Sequence, residues 1–172
     1  MMRGCIVVAA ASVLLGGCSL LLDFSDGAIP ADAPPDLPFA QADCDYKEPN
    51  DSAQVAAVID PAVDTGPAAI CPGAIDDHDF YKVTVPAAIA SVSVKITFVN
   101  SPTGDLDLRL YDKTGSTVLS RSSGFGNEET IVCPGASPAC PMLAADDYVF
   151  EVFPALAGAI NGYTIAVTLT PM

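Results

Sequence analysis

Short segments in which apolar and polar residues alternate dominate the chain from residue 44 onward. Residues 91–98, 105–110 and 163–169 each follow this pattern. In the first segment the apolar positions are Val92, Val94, Ile96 and Phe98. Because successive side chains of a β-strand point to opposite faces, a period of two residues predicts strands with one buried face and one face in water.

Other segments have the composition of strands without a strict alternation. Residues 80–85 and 148–153 are apolar and rich in aromatic residues, which favours more deeply buried strands. Shorter candidates are residues 54–59, 69–75, 117–121 and 129–132. Turn residues at 112–115 and 161–162 separate some of these segments, and no long amphipathic helix is predicted from 44 to 172. About eight or nine short strands predict an all-β domain, an antiparallel β-sandwich.

The first 17 residues have the pattern of an export signal. A positive charge near the N-terminus precedes an apolar run at residues 6–15, which is shorter than the roughly 20 residues that span a bilayer. The sequence Leu-Gly-Gly-Cys at residues 15–18 resembles the lipobox of bacterial lipoproteins. This resemblance implies cleavage before Cys18, acylation of its thiol and stable anchoring by several acyl chains. The alternatives are a plain secretory signal and an uncleaved apolar anchor.

Ser19, directly after the acylated cysteine, is similar to the sorting signal of outer-membrane lipoproteins. We therefore expect an exported protein that is anchored in a membrane, the outer membrane if the host has two. Residues 18–43 combine prolines with acidic residues and lack periodicity, which predicts a flexible, disordered tether. The predicted organisation is a signal peptide at 1–17, a lipidated cysteine and tether at 18–43, and a folded domain at 44–172.

Four cysteines remain once the leader is removed and Cys18 is acylated. They are Cys44, Cys71, Cys133 and Cys140. An even number in an oxidising compartment predicts two disulfides, for which three pairings are possible. The stretch between the last two cysteines is rich in turn residues and returns easily on itself, so we favour Cys133–Cys140 and, by elimination, Cys44–Cys71. A zinc site is the alternative, but the spacing Cys-x-x-Cys is absent.

The chain is strongly acidic, with 21 Asp and Glu residues against 7 Lys and Arg residues and a formal net charge of −14. All the acidic residues follow the predicted cleavage site. Such a surface repels phosphate backbones, so nucleic acid is not an expected partner. The same charge attracts divalent cations.

Six short motifs occur in order between Asp45 and Leu169. They are Glu-Pro-Asn-Asp-Ser at 48–52, Gly-Ala-Ile at 73–75, Asp-His-Asp-Phe-Tyr-Lys-Val at 77–83, and the segments 105–112, 148–152 and 162–167. In this order they resemble the bacterial pre-peptidase C-terminal domain. Members of that family are jelly-roll-like β-sandwiches that are usually appended to secreted proteases, and the collagen-binding domains of clostridial collagenases are close relatives. The resemblance therefore implies a jelly-roll-like sandwich here.

The resemblance also implies a calcium site. The collagen-binding relatives hold calcium between the Glu-Pro-Asn segment and the acidic loop before the next strand. The matching positions here are Glu48, Asn50, Asp51, Asp76 and Asp79, with Asp77 as a near alternative. Calcium takes six to eight hard oxygen ligands, and clustered aspartates repel one another unless they are protonated or neutralised. The alternative is an exposed acidic turn in which residues 48–51 form a capping or turn motif.

Asp105 and Asp107 alternate with core leucines and therefore share the outward face of a strand. We expect them to lie on the solvated face of the sandwich. The alternatives are a second cation site and a binding surface.

No catalytic constellation is evident. A serine or cysteine nucleophile needs a nearby base, and His78, the single histidine, lies in the acidic turn. One imidazole is also too few for a histidine-based zinc hydrolase. We therefore expect a non-enzymatic surface module that binds an extracellular protein or glycan. The alternatives are a structural accessory subunit of an envelope or secretion assembly and, least favoured, a small hydrolase.

Overall fold

Two β-sheets packed face to face make up the fold in the computed structural model. The structure describes residues 44, 46–64, 66–71 and 77–172. The predicted signal peptide, the tether with Cys18, and Asp76 lie outside these residues. After a short 3-10 helix at Ala53–Val55, the strands are β1 Ala57–Val58, β2 Pro67–Ile70, β3 Asp79–Val85, β4 Ile89–Phe98, β5 Leu106–Tyr111, β6 Val118–Ser122, β7 Glu128–Cys133, β8 Gly135–Ala136, β9 Ala139–Cys140, β10 Asp146–Pro154 and β11 Asn161–Pro171.

The strand order places sequentially distant segments side by side. One sheet has the order β1-β3-β10-β5-β6, the other has the order β2-β11-β4-β7, and β8 and β9 form a separate hairpin. All pairs among the described strands are antiparallel except β1 with β3, which is parallel. The predicted all-β sandwich is therefore confirmed, with one short parallel pair that was not expected.

The core lies between the sheets and is filled by the alternating apolar positions. The four apolar residues predicted to share a face of β4 are all buried, as are the three leucines of β5. Tyr81 of β3 stacks on Phe150 of β10, with ring centroids 5.3 Å apart. The Tyr81 and Tyr163 hydroxyls form a hydrogen bond of 2.7 Å that joins the two sheets through the core. Alternation therefore identifies the buried face correctly.

Two of the shorter predicted strands are wrong in their extent. Residues 53–55 form the 3-10 helix, and only Ala57 and Val58 of the predicted strand at 54–59 pair with β3. The strand predicted at 69–75 is instead β2, which begins at Pro67 and ends at Ile70. In both places pairing with a neighbouring strand, rather than local composition, sets the limits of the strand.

The cysteine pairs favoured from the sequence are the two at bonding distance. Cys44 and Cys71 have their sulfurs 2.01 Å apart, and Cys133 and Cys140 have theirs 1.95 Å apart. The first pair ties the segment before the 3-10 helix to the residue after β2, and the second closes the β8–β9 hairpin. Within the described residues, none of the helical structure is long and apolar enough to cross a lipid bilayer.

Candidate functional site

Three carboxylates converge at the start of β3. One oxygen each from Glu48, Asp77 and Asp79 lies within 4.8 Å of the other two. Asp79 is the first residue of β3 and lies on the same inward face as Tyr81, so the strand period directs its side chain into the sandwich. Its exposed fraction is only 2%. The fold thus places a carboxylate where an ionised group is poorly solvated.

The segment that contains Glu48 is held against β3 by backbone hydrogen bonds. The Phe80 N–H donates to the Asn50 carbonyl at 2.9 Å. The Asn50 N–H in turn donates to Glu48 Oε2 at 2.8 Å. These contacts explain how residues that are about 30 positions apart in the sequence come to share one site.

The side chain of Asn50 completes the cluster. It is fully buried, and its Oδ1 faces carboxylate oxygens. In the opposite amide orientation, Nδ2 would donate to Asp79 at 3.2 Å and to the two Glu48 oxygens at 3.2 and 3.0 Å. The first orientation supplies a fourth oxygen to a cation, and the second supplies a proton donor when no cation is bound. Both orientations place Asn50 at the centre of the site.

Burial and mutual repulsion disfavour ionisation of these acids. Burial, followed by the negative charges of Asp77, Glu48 and Asp51, raises the pKa of Asp79 to about 8. Burial and the charge of Asp51 also raise the pKa of Asp77, and burial raises that of Glu48. With a pKa of about 8, Asp79 retains its proton at neutral pH unless a positive charge replaces that proton.

The described part of the protein supplies few compensating groups. The Cys71 N–H donates to Asp77, and the Tyr163 hydroxyl donates to Asp79. None of the ion pairs formed by the described lysines and arginines involves Glu48, Asp77 or Asp79. The adjacent Lys47 is directed elsewhere, since its Nζ lies 3.0 Å from Asp64.

The donor set fits a hard divalent cation. It contains carboxylate and amide oxygens without sulfur or imidazole nitrogen, which is the ligand type that calcium prefers. Of the predicted ligands, the structure brings Glu48, Asn50, Asp77 and Asp79 together. Asp51 is exposed and stands beside Asp77, whose pKa it raises. Asp76 lies outside the described residues.

A second charged cluster, which the sequence did not reveal, lies on the outer face of the five-stranded sheet. Its centre is Glu151 of β10, whose exposed fraction is also 2%. His78 Nδ1 lies 2.7 Å from Glu151 Oε1, and Arg109 and Tyr111 donate to Oε2 at 2.8 and 2.6 Å. Burial alone would raise the pKa of Glu151, but the hydrogen bonds from His78 and Tyr111 and the charge of Arg109 lower it overall.

Arginine side chains cover this outer face. The Arg109 guanidinium lies 4.0 Å from the centroid of the Phe153 ring, and that of Arg121 lies 5.3 Å from it. Arg121 also donates to Asp107 at 2.7 Å, so that Asp107 is buried. The expectation that Asp107 lies on a solvated face is therefore wrong, because long cationic side chains lie over it.

His78 does not belong to a nucleophile–base pair in the described residues. Its Nδ1 is bound to Glu151, and its ring lies against Phe80 and Phe153, with centroids 6.4 and 5.8 Å away. None of the described serine, threonine or cysteine side chains forms a hydrogen bond with it. The arrangement is that of a buried ion-pair network, with His78 as one donor.

Comparison with protein-family models agrees with the resemblance over part of the chain. Residues 77–153 match the family model of the bacterial pre-peptidase C-terminal domain. Among solved structures, the chain is similar to the pre-peptidase C-terminal domain of a collagenase from Bacillus anthracis, with 12% identity and a TM-score of 0.46, over 60% of this chain and 87% of that chain. No curated protein matches the chain.

Proposed function

We propose that this chain, whose residues 77–153 match the pre-peptidase C-terminal domain family, is an exported, non-enzymatic lipoprotein of the cell envelope. Its β-sandwich binds calcium at the start of β3 and presents a surface to an extracellular protein or glycan. The observation that carries the proposal is the convergence of the exposed Glu48 with the buried Asn50, Asp77 and Asp79, a set that none of the described lysines or arginines neutralises.

Calcium would stabilise this region by neutralising carboxylates whose ionisation is disfavoured by burial and mutual repulsion. Glu48 and Asn50 come from the segment before the 3-10 helix, and Asp79 comes from β3. A cation bound to all three joins the N-terminal segment to the sandwich more firmly than the Phe80–Asn50 hydrogen bond does alone. The role of the metal in this proposal is structural.

A calcium titration monitored by thermal unfolding tests the metal site. Calcium at 100 times its dissociation constant is expected to add about 2.7 kcal/mol to the free energy of unfolding. For a chain of this size, that gain raises Tm by roughly 5–10 °C. Asp79→Asn should abolish the shift, whereas Glu128→Gln, which removes an exposed carboxylate paired with Lys95, should retain it. An unchanged Tm for the wild type, or an equal shift in Asp79→Asn, would refute the calcium site.

The non-enzymatic part of the proposal is supported by the engagement of His78. Because its Nδ1 is bound to Glu151 and no described nucleophile reaches it, the site lacks the base–nucleophile contact that covalent catalysis needs. Arrays of extracellular proteins and of glycans, probed with the purified chain, test the binding role. Saturable binding to one class is expected, and hydrolysis of any array member would contradict the proposal.

The anchor is tested separately by mass spectrometry of the native N-terminus. The expected species begins at Cys18 and carries acyl chains on its thiol and amino groups. An unmodified Cys18 thiol, or a retained residue 17, would contradict the lipoprotein assignment without affecting the calcium site.

A further inference from the structure

A cavity of about 430 Å³ opens at the end of the sandwich where β10 terminates. Three connections surround it: residues 99–105 between β4 and β5, residues 123–127 between β6 and β7, and residues 155–160 between β10 and β11. We call it the loop cavity. Its lining residues are Asn100, Ser101, Pro102, Asp105, Phe125 and Leu156.

Hydrogen bonds within the protein hold the loop cavity in shape. Asn161 is buried, and its Nδ2 donates to the carbonyls of Val99 and Gly104 at 2.8 and 2.6 Å. The Nδ2 of Asn100 donates to the Phe125 carbonyl at 2.8 Å. These side chain–backbone bonds fix the three connections relative to one another, so a ligand would not have to order them.

Apolar side chains at the cavity are exposed to solvent. The Phe125 side chain is 94% exposed, and Leu156 is 60% exposed. Neither side chain contributes to the core of the sandwich. A pair of exposed large apolar residues beside a preformed cavity is a contact surface for an apolar part of a ligand.

The polar groups of the cavity are mainly acceptors. Oδ1 of Asp105 is buried and has no hydrogen-bond donor among the described residues. Burial and the charge of Asp107 raise the pKa of Asp105. Oδ1 of Asn100 also accepts no hydrogen bond within the described residues, whereas Nδ2 of the same side chain donates to the Phe125 carbonyl. Only Ser101 offers a hydroxyl that can either donate or accept.

We propose that the loop cavity binds a lysine or arginine side chain of a partner protein. The aliphatic stem packs against Phe125 and Leu156, and the cationic head binds Asp105. A net charge of −14 on this chain favours the approach of a basic segment. Sugar hydroxyls both donate and accept, so a cavity dominated by acceptors suits them less well. This inference rests on the proposed binding function and selects a protein over a glycan as the ligand.

The contrast with the opposite end of β10 supports this choice. Another cavity there, of about 350 Å³, is also lined by acidic residues, among them Asp112 and Asp146. Those carboxylates are already engaged: Asp146 binds Lys113 at 2.9 Å, and Asp112 accepts bonds from its own turn, including Thr114. Only the loop cavity, of the two, has a buried carboxylate oxygen without a partner in the described residues.

The test uses the full chain, purified in detergent, and three probes followed by NMR of its backbone amides. The probes are a capped alanine pentapeptide with a central lysine, the same peptide with norleucine, and cellohexaose. The lysine peptide should shift the amides of 99–105, 123–127 and 155–160, and its affinity should exceed that of the norleucine peptide at least tenfold. Because the difference is electrostatic, it should shrink as ionic strength rises.

Two variants and a matched control locate the effect. Asp105→Asn should remove the tenfold preference for lysine over norleucine. Phe125→Ala, at a position too exposed to affect folding, should weaken both peptides alike. Asp146→Asn makes the same change of charge at the other end of β10 and should leave the preference intact. Equal affinity for lysine and norleucine, or a preference that survives Asp105→Asn, would overturn the inference.

The outcome also separates this inference from the proposed function. Binding of cellohexaose, but not of the lysine peptide, at the same amides would overturn the choice of a protein ligand and leave a binding module in place. If none of the three probes shifts the amide signals while calcium still raises Tm, only the proposed binding at the loop cavity would be overturned. Loss of that Tm shift would count against the proposed calcium site and not against the loop cavity.

Discussion

Among the described residues, two acidic clusters are centred on almost fully buried carboxylates, and they differ in how the charge of that carboxylate is compensated. Asp79 and Glu151 are each 2% exposed. Around Glu151 the fold provides Arg109, His78 and Tyr111, and the pKa of Glu151 falls below its usual value. Around Asp79 the neighbours are mostly acidic, and its pKa rises to about 8.

The difference shows in which cluster the protein itself supplies the groups that compensate the buried carboxylate. A buried carboxylate is stable when hydrogen bonds and opposite charges replace the water it has lost. The Glu151 cluster has both, from side chains of β5 and from His78, which directly precedes β3, so its role is structural. The Asp79 cluster has hydrogen bonds from Tyr163 and from backbone, but no lysine or arginine partner in the described residues. It is therefore the place where an external cation would have the larger effect.

The largest loss of stability is expected from removing the guanidinium group of Arg109, the cationic partner of Glu151. Arg109→Met leaves Glu151 buried without its guanidinium and uncovers Phe153, so the free energy of unfolding should fall by about 3–5 kcal/mol. Urea unfolding measures this change, which should be the same with and without calcium. Lys113→Met, which removes an exposed ion pair with Asp146, is the control and should have little effect on the free energy of unfolding, because solvent screens that pair. Equal losses for the two variants would contradict a special role for Arg109.

The pH dependence should have opposite signs at the two clusters. Without calcium, folded Asp79 holds its proton up to about pH 8, whereas its unfolded counterpart releases it near 3.8. Stability from the neutral Asp79 is thus fully present below pH 3.8 and is lost as pH rises through about 8, by at most about 1.4 kcal/mol per pH unit. Saturating calcium should abolish this slope.

Glu151 acts at the other end of the pH range. Its folded pKa lies below the usual 4.5, so the stability it contributes is present above pH 4.5 and is lost as pH falls through the lower folded value. Urea unfolding across the pH range, in chelator and in calcium, measures both effects. A calcium-independent slope near neutral pH would show that Asp79 is not the group responsible.

The same chemical change should have opposite effects at the two clusters. Glu151→Gln breaks charge-assisted hydrogen bonds and should lower the free energy of unfolding by about 2 kcal/mol. Glu48→Gln removes one of several repelling charges and should raise it by about 0.5 kcal/mol in chelator, a small gain because solvent screens this exposed carboxylate. In calcium, Glu48→Gln should instead be less stable than the wild type. A loss of stability for Glu48→Gln in chelator would contradict the repulsion.

A loss of stability smaller than that of Glu151→Gln is expected at the hydroxyl that connects the acidic cluster to the core. Tyr163→Phe removes the donor to Asp79 and the bond to Tyr81, and it should cost about 1 kcal/mol. Thermal unfolding in chelator measures the change. Since no proposed ligand is altered, the calcium-induced rise in Tm should persist, and its loss would show that Tyr163 is part of the metal site.

The fold was predictable where a strand is long enough to show its period. The alternation of apolar and polar residues in β4 and in β5 is sufficient to identify the buried apolar positions of both strands. By contrast, β1, β8 and β9 contain two residues each, which is too short for a periodic signal, and the parallel pairing of β1 with β3 depends on contacts made elsewhere in the chain. The alternation of apolar and polar residues therefore predicts the long strands of the core but not the two-residue strands.

The two acidic clusters also differ in how far the sequence alone reveals them. The acidic residues before β3 are clustered in the sequence, and the family resemblance connects them to Glu48 and Asn50. The partners of Glu151 could not be found in this way, because Arg109 is 42 positions away and meets it only through the register of β10 with β5. The available signal was a glutamate within the apolar run of 148–153, which indicates a buried charge without naming its partners.

The disulfide between Cys44 and Cys71 has a mechanical consequence. Tension applied to the chain before Cys44 is transmitted through the sulfurs to the residue after β2, so residues 45–70 lie in a covalent loop that carries little of the load. Glu48 and Asn50 belong to that loop. If the cell surface pulls on this domain, the bond relieves these two residues of the force, whereas Asp77 and Asp79 follow Cys71 and lie in the part of the chain that carries the load.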